Sequence, residues 1–197
     1  MKYFLYMLNY EIAPLEWRIN PDYPFLPVYR IATVIVSAVF WEIFWTTLRS
    51  IPRLDDKSAT RMTALGHALY ASSVSCFAIF IKNPITVLPK SYCANQPMDD
   101  VLLCVSLGYF VWDLYKTIVE KWGMDFLIHA IMCIYTYSLI AFCGTFSRIG
   151  LIVLFFEFST IFLQGYILAY SFDYPILAVL LRYFVHFVIW ILRYYHM

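Results

Sequence analysis

The sequence predicts an all-α membrane protein, a bundle of about six transmembrane helices around a polar-lined, lipid-accessible cavity. Of its 197 residues, 62% are hydrophobic, 20% are aromatic and only 14% are charged, and this apolar share exceeds that of ordinary soluble domains. Several apolar runs also reach the roughly 20 residues that an α-helix needs to cross the hydrocarbon layer. A third observation, polar residues repeated along one helical face of each run, predicts the cavity.

Six runs are expected to span the membrane, and the segments between them are rich in Pro, Asn, Asp and Lys, as is typical of loops. The expected spans are 28–48, 62–81, 101–119, 125–143, 149–170 and 175–195. The first 27 residues have a short apolar run without a small-residue cleavage site. We therefore expect 1–27 to be an interfacial N-terminal segment and 28–197 to be one transmembrane domain.

Polar side chains recur at helical spacing in every span. The six sets are Glu42, Thr46 and Arg49; Thr63, His67 and Tyr70; Tyr109, Asp113 and Lys116; Asp125, His129 and Thr136; Glu157, Thr160 and Gln164; and Arg182, His186 and Arg193. Because lipid cannot hydrogen-bond such groups, these faces are expected to turn toward a shared interior.

Five of these residues are expected to lie at a similar depth in the membrane. Successive spans alternate in direction, and counting along each helix places the five roughly 6–11 Å below one surface. The predicted layer contains Glu42, His67, Asp113, His129 and Arg182. Glu157 and His186 are expected to lie deeper, so the cavity should narrow inward.

Asp113 and His129 are the candidate catalytic residues. A histidine beside a carboxylate can act as a general base, or as a nucleophile that accepts an acyl group, while the carboxylate fixes the imidazole tautomer. The alternative is a structural hydrogen bond that ties two helices together. No metal site is expected, because the five cysteines show no paired spacing.

Four further residues are candidates for contact with a lipid, namely His67, Tyr109, Glu157 and Arg182. Each also has a structural interpretation: His67 can bond to another helix, and Arg182 can pair with Glu42 or extend to the interface. At the end of the third span, the charged residues Lys116, Glu120 and Lys121 are interpreted as a solvated helix end.

Charge excludes one class of partner. The formal net charge is +1, and no basic cluster has the spacing that nucleic acid requires. The first loop is basic, which favours a cytoplasmic position, but basic residues elsewhere nearly cancel this bias, so the orientation stays open.

Four segments in order resemble the TLC domain, the module shared by translocating-chain-associating membrane proteins and longevity-assurance ceramide synthases. They are "RMTALGHAL", "LGYFVWDL", "DFLIHAI" and "FEFSTIFLQ". The resemblance covers roughly residues 30–195 and is greatest to the orphan TLC domain-containing proteins, whose G-Y-F-x-x-D-L and E-x-[ST] segments match Gly108 to Leu114 and Glu157 to Ser159. It implies a helical bundle around a lipid-accessible cavity and suggests the endoplasmic reticulum. Related members include one further helix, so a shortened form of the chain is an open alternative.

In the ceramide synthase branch, the family implies acyl-CoA-dependent N-acylation of sphingoid bases. That branch has a His-His pair where this chain has His129 followed by Ala130. It also has His-Asp with a further Asp where this chain has Glu157, Phe158 and Ser159. Both differences count against ceramide synthesis.

The preferred function is therefore lipid binding, or regulation of membrane lipid composition, without a cofactor. The expected partners are membrane lipid and other membrane proteins, and the oligomeric state stays open. One alternative is an acyltransferase that uses His129, with acyl-CoA as the co-substrate. Another is a translocation or cargo-handling factor of the endoplasmic reticulum.

Overall fold

The computed structural model describes residues 27–52, 54–82, 97–143 and 147–194, and these contain seven α-helices and no strand. The helices are α1 (Pro27–Arg49), α2 (Asp56–Cys76), α3 (Pro97–Val119), α4 (Met124–Cys143), α5 (Ser147–Phe155), α6 (Phe158–Ser171) and α7 (Pro175–Tyr194). A π-helical stretch, Phe77–Lys82, continues α2. The expected interfacial segment 1–27 lies outside the described residues except at Pro27.

Five helical segments of the described chain are long and apolar enough to cross a membrane, which confirms the predicted fold class. They are Tyr29–Arg49, Asp56–Ile81, Asp99–Val119, Met124–Ala141 and Ile149–Ser171. The sixth predicted span corresponds to α7, whose apolar stretch over residues with described side chains is Pro175–Phe187. Helix α7 is thus confirmed as a helix, and its crossing of the membrane stays a prediction.

The second helix begins at Asp56, about 1.7 turns before the expected start at residue 62. The carboxylate of Asp55 accepts a hydrogen bond from the Ser58 backbone N–H at 3.0 Å, so Asp55 caps the helix. Hydrogen bonds from the Ser58 hydroxyl and, second, from its backbone N–H lower the pKa of the Asp55 carboxyl group. The cap explains the difference, because it allows a polar first turn to be helical before the apolar run starts.

The fifth predicted span consists of two helices. Helix α5 ends at Phe155, a turn follows at Phe156 and Glu157, and α6 begins at Phe158. The backbone N–H of Glu157 bonds to the carbonyl of Leu154 at 3.1 Å, a three-residue step that interrupts the α-helical pattern. Glu157 stands at the N-cap of α6, but its side chain makes no capping hydrogen bond, so the carboxylate does not satisfy the helix end.

Helix α3 lies at the centre of the bundle and packs against α1, α2, α4 and α5. Its contact with α1 is the closest, because Gly108 lies directly opposite the α1 backbone. A Cβ atom at Gly108 would stand 2.5 Å from the carbonyl oxygen of Val34. On the same side, the Ser37 hydroxyl donates a hydrogen bond to the Val105 carbonyl at 2.6 Å. Small side chains therefore let the two helices approach closely.

A buried ion pair joins α1 to α3 near one end of the bundle. Arg30 Nη2 lies 2.8 Å from Asp100 Oδ2, and Arg30 Nη1 donates to the carbonyl of Ala141 in α4 at 2.6 Å. Asp100 is fully buried. No sequence pattern predicted this pair, because Asp100 lies one residue before the expected third span at 101–119.

A second pair joins the same two helices near the other end. Lys116 Nζ lies 3.0 Å from Glu42 Oε2 and 3.2 Å from the centre of the Trp45 ring, and its residue is only 4% exposed. The interpretation of Lys116 as part of a solvated helix end is therefore wrong. An aromatic face and a carboxylate together replace the water that its ammonium group would otherwise need.

Candidate functional site

The described residues enclose a cavity of about 230 Å³, called the polar cavity below, between α2, α3, α4 and α6. Its polar walls come from Thr60, Arg61, Tyr109, Asp113, Thr117, Trp122, Asp125, His129, Glu157, Thr160 and Gln164. Its apolar walls come from Ala64, Phe110, Phe126 and Leu163. Three carboxyl groups and one guanidinium group thus share a space that is also partly apolar.

A second cavity of about 310 Å³, called the side cavity below, lies between α4 and the break that separates α5 from α6. Its walls are His129, Met132, Cys133, Thr136, Tyr137, Val153, Phe156, Glu157, Ser159 and Thr160. His129, Glu157 and Thr160 line both cavities. These three residues therefore form the partition between the two spaces.

Four of the six predicted site residues come together at the polar cavity: Tyr109, Asp113, His129 and Glu157. The break before α6 places Glu157 at the cavity wall, where its carboxylate accepts a hydrogen bond from the Thr160 hydroxyl in the first turn of α6. His67 does not reach the cavity. Its ring is 1% exposed and stacks on Tyr109, with centroids 3.7 Å apart and planes 5° apart. His67 thus supports the wall from behind.

Asp113 and His129 line the same cavity without a direct bond. Among the described residues, no hydrogen bond or ion pair within 4 Å joins them. The imidazole instead has a polar contact with Cys133, whose Sγ lies 3.6 Å from His129 Nε2, one turn further along α4. The carboxylate contact that would fix the tautomer of His129 is therefore not formed in this arrangement.

Arg182 lies apart from both cavities, on an exposed face of α7. His186, one turn later, is exposed as well, and its Nδ1 lies 2.8 Å from the Arg182 carbonyl oxygen. The expected inward stripe is therefore wrong at Arg182 and His186, because α7 packs mainly against α6 and leaves that face uncovered, whereas the side chain of Arg193 lies outside the described residues. The alternative pair of Arg182 with Glu42 is not formed either, since Glu42 binds Lys116 and Trp112.

The predicted single layer is divided in the same way. Asp113 and His129 lie at the polar cavity, whereas Glu42, a residue of α1, contacts α3 from the opposite side. Two stripe residues of α1, Thr46 and Arg49, are exposed and also do not turn inward. Depth alone predicted the layer. Which side of α3 a residue faces depends on how its helix is rotated about its own axis. The spacing of polar residues predicted this rotation correctly for the helices around the polar cavity but not for α1 and α7.

Arg61 is the main cavity residue that the sequence interpretation missed. Its guanidinium carbon lies 4.7 Å from the centre of the Trp122 ring, and Nη1 donates to Gln164 Oε1 at 3.4 Å. Arg61 lies one residue before the expected second span at 62–81, so it was not among the predicted site residues. The signal was present in the sequence, since Arg61 opens the segment "RMTALGHAL" at helical spacing from Ala64.

A hydrogen-bond network holds the end of the cavity where Arg61 lies. Trp45 Nε1 donates to Thr60 Oγ1 at 2.9 Å, and the Thr60 hydroxyl lies 2.9 Å from Glu120 Oε1. Trp122 Nε1 donates to the other oxygen of Glu120 at 2.8 Å. Because these bonds connect α1, α2 and the turn after α3, they hold Trp122 in place beneath Arg61.

The arrangement defines a multi-pass helical membrane protein with polar side chains gathered inside the spanning segments. Comparison of the sequence with family profiles gives the same class, since the TLC domain profile matches residues 57–195, more than two thirds of the chain. The chain belongs to the TLC-domain family. Every residue that lines the two cavities lies within the match, whereas α1 lies before it. No curated protein and no solved structure matches the chain significantly.

Proposed function

We propose that this protein binds a membrane lipid whose headgroup occupies the polar cavity, and that it thereby acts on membrane lipid composition. The observation that carries the proposal is the set Asp113, His129 and Glu157. All three lie in membrane-spanning segments and face an open space, and no ion pair joins them among the described residues.

The free-energy cost of placing polar groups in the membrane supports this proposal. Polar groups inside the hydrocarbon layer are expensive unless they are paired or bonded. On the α1 side of α3, buried charges have partners, as in the pair of Arg30 with Asp100. At the cavity, Asp113 bonds to Tyr109 and Glu157 bonds to Thr160, and a ligand that supplies further hydrogen bonds to these carboxyl groups would offset the remaining cost. The apolar walls at Phe110, Phe126 and Leu163 suit the first carbons of a lipid tail.

The lining also indicates the kind of headgroup. Asp113, Asp125 and Glu157 are acceptors when ionised, and Arg61 is the one fixed cation among the lining residues. Acceptors in excess favour a headgroup with hydroxyl or amine donors over a phosphate, which would meet like charge. Arg61 already contacts Trp122 and Gln164, so its charge is partly engaged.

Lipid retention tests this function. The protein is purified in a mild detergent, and the lipid that stays bound is extracted and quantified by mass spectrometry against the protein. We expect wild type to retain lipid and Glu157→Gln to bind that lipid more weakly by roughly 10- to 100-fold, as expected for the loss of a hydrogen bond to a charged group. Asp173→Asn is the matched control, because Asp173 is exposed in the turn before α7. Wild-type protein that is stable and free of lipid would contradict the proposal.

The acyltransferase alternative is favoured by one observation, the contact of His129 with the Cys133 thiol. His129→Ala separates the candidates: it should abolish an acyltransferase, weaken a lipid binder, and leave a translocation or cargo factor working. The endoplasmic reticulum is the compartment that the family suggests, and cell fractionation with lipid analysis of that membrane tests both location and function.

A further inference from the structure

The polar cavity and the side cavity lie end to end along α4. Their shared wall consists of three residues, His129, Glu157 and Thr160. The polar cavity begins at Asp125, in the first turn of α4, and the side cavity extends as far as Tyr137. At about 1.5 Å per residue, the two spaces together cover about 20 Å along the axis of α4.

Helix α5 gives the same depth from the opposite end of the bundle. It begins where α4 ends, because only three residues separate the two helices. Val153, in the wall of the side cavity, lies about 9 Å along α5, and Tyr137 lies about 9 Å before the last residue of α4. The hydrocarbon layer is about 30 Å thick, so the cavities reach across about two thirds of it.

Polar side chains follow this path from one end to the other. In order of depth they are Asp125, then Asp113 and His129, then Glu157, Thr160 and Thr136. A polar headgroup crosses a bilayer slowly, because the hydrocarbon offers it no hydrogen bonds. Side chains along the path can replace the lost hydration over most of that distance.

Both cavities also border on lipid. Met132, Val153 and Phe156 line the side cavity and are exposed on the outer surface of the bundle, and Phe126 and Leu163 do the same at the polar cavity. A lipid headgroup can therefore contact the polar walls while its tails stay in the bilayer.

We propose that the two cavities form one path along which a lipid headgroup crosses the membrane, so that the protein exchanges lipid between the two leaflets. This inference rests on the proposed headgroup binding, which supplies the lipid class: a neutral lipid whose headgroup has hydroxyl groups and no phosphate, such as a glycolipid. The exchange runs in both directions and needs no energy source, because it only equalises the two leaflets.

The partition between the cavities has to open as the headgroup passes. The Glu157 carboxylate accepts a hydrogen bond from the Thr160 hydroxyl, and a headgroup hydroxyl can replace Thr160 as the donor. His129 is exposed, and its imidazole contacts Cys133 one turn away on the same helix. Rotation of these side chains therefore opens the path without separating the helices.

Leaflet exchange tests the proposal directly. The full chain is reconstituted into phosphatidylcholine vesicles with a trace of glucosyl-diacylglycerol or phosphatidylserine, each carrying a nitrobenzoxadiazole label on one acyl chain. Dithionite destroys the label in the outer leaflet only, so the slower loss of fluorescence that follows measures the exchange rate. We expect wild type to exchange the glycolipid about tenfold faster than phosphatidylserine, because a phosphate meets like charge at the carboxylates.

Two variants block the path at the side cavity. Thr136→Trp and Val153→Trp each place an indole in that space from a different helix, and both positions lie outside the lining of the polar cavity. Each should slow glycolipid exchange at least about tenfold by filling the path, while the purified protein still retains lipid in the polar cavity. Thr47→Trp is the matched control, because Thr47 is exposed on α1, and it should exchange lipid at the wild-type rate.

Three results would overturn the proposal. Exchange no faster than in protein-free vesicles would do so, and lipid retention would then leave the headgroup proposal standing alone. Exchange at the wild-type rate in both blocking variants would show that lipid crosses elsewhere. Phosphatidylserine that crosses as fast as the glycolipid would overturn the lipid class. A wild-type protein that exchanges lipid but retains none after purification would contradict headgroup binding, on which the path depends.

Discussion

The two sides of α3 use the same kinds of residue in opposite ways. Toward α1, its charged residues have partners: Asp100 pairs with Arg30, and Lys116 pairs with Glu42. Toward α4 and α6, Asp113 faces an open cavity and forms no ion pair among the described residues. A charge with a partner in the same chain holds helices together, whereas a charge without one is available to a ligand.

The helices also pack more closely on the α1 side of α3 than on the cavity side. On the α1 side, Gly108 leaves no room for a methyl group beside the Val34 carbonyl. On the other side, the helices separate enough to leave the polar cavity of about 230 Å³. The α1 side should therefore determine stability, while substitutions at the cavity should alter ligand binding with little loss of stability.

The largest expected effect is at Asp100. Asp100→Ala would leave the buried guanidinium of Arg30 without its counter-ion, so we expect a loss of about 3–5 kcal/mol in the free energy of unfolding. Denaturation in detergent micelles, followed by circular dichroism, measures this loss.

Asp56→Ala is the matched control for Asp100→Ala. Asp56 pairs with Arg49 at 2.7 Å, but both side chains are more than half exposed, so removal should cost under about 1 kcal/mol. The double variant Arg30→Met with Asp100→Leu should recover most of the stability lost in Asp100→Ala, since it removes both charges. Equal losses for Asp100→Ala and Asp56→Ala would show that the α1 side is not held by its buried charge.

A smaller effect is expected from Gly108→Ala. The new methyl group would stand 2.5 Å from the Val34 carbonyl oxygen, a backbone atom that moves only with all of α1. We expect this overpacking to cost about 1–3 kcal/mol, despite the higher helix propensity of alanine. Thermal unfolding in micelles measures it, with Gly123→Ala as the control.

The control at Gly123 is well matched, because a Cβ there would meet nothing within 4 Å. Its effect should stay within about 0.5 kcal/mol. If Gly108→Ala were as stable as Gly123→Ala, the close approach of α1 to α3 would not be needed for the fold.

Helix positions followed from the sequence because lipid imposes a simple rule. Each apolar run had to form its own helix, and the predicted spans therefore match α1 to α4, the combined α5 and α6, and α7. The break at Glu157 was not predicted. Hydropathy does not distinguish a turn inside an apolar run from a continuous helix, and Phe156 and Phe158 keep this stretch apolar on both sides of Glu157.

The site was predicted only where polar spacing and burial agree. Asp113, His129 and Glu157 line one cavity, as their spacing along separate spans suggested, and their role stays a prediction. Arg61 was not predicted as a site residue, and Lys116 was predicted to be exposed to solvent, because a cation near a helix end is usually solvated. In both cases a tryptophan ring beside the cation makes burial possible, and the tryptophan comes from elsewhere in the chain: Trp122 for Arg61 and Trp45 for Lys116.

The smallest effect is expected at Asp55, on the cavity side of the comparison. Asp55 caps α2, the helix that carries Arg61 and Ala64 into the cavity wall. Asp55→Ala removes the hydrogen bond to the Ser58 N–H, so we expect a loss of about 1 kcal/mol at pH 7. Because Asp55 is exposed, this loss of stability should be smaller than the loss expected for the buried pair of Arg30 with Asp100.

The pH dependence of the unfolding free energy tests whether the charge of Asp55 produces this stabilisation. The folded protein lowers the pKa of Asp55 through its bonds to Ser58, so the ionised cap contributes stability in full above the unfolded pKa of about 3.9. That contribution is lost as the pH falls through the lowered folded pKa, so the difference between wild type and Asp55→Ala should shrink there. Asp55→Asn keeps a capping oxygen without charge, and its stability relative to Asp55→Ala should not depend on pH. A constant gap between wild type and Asp55→Ala down to pH 2 would mean that the carboxylate charge contributes nothing to the cap.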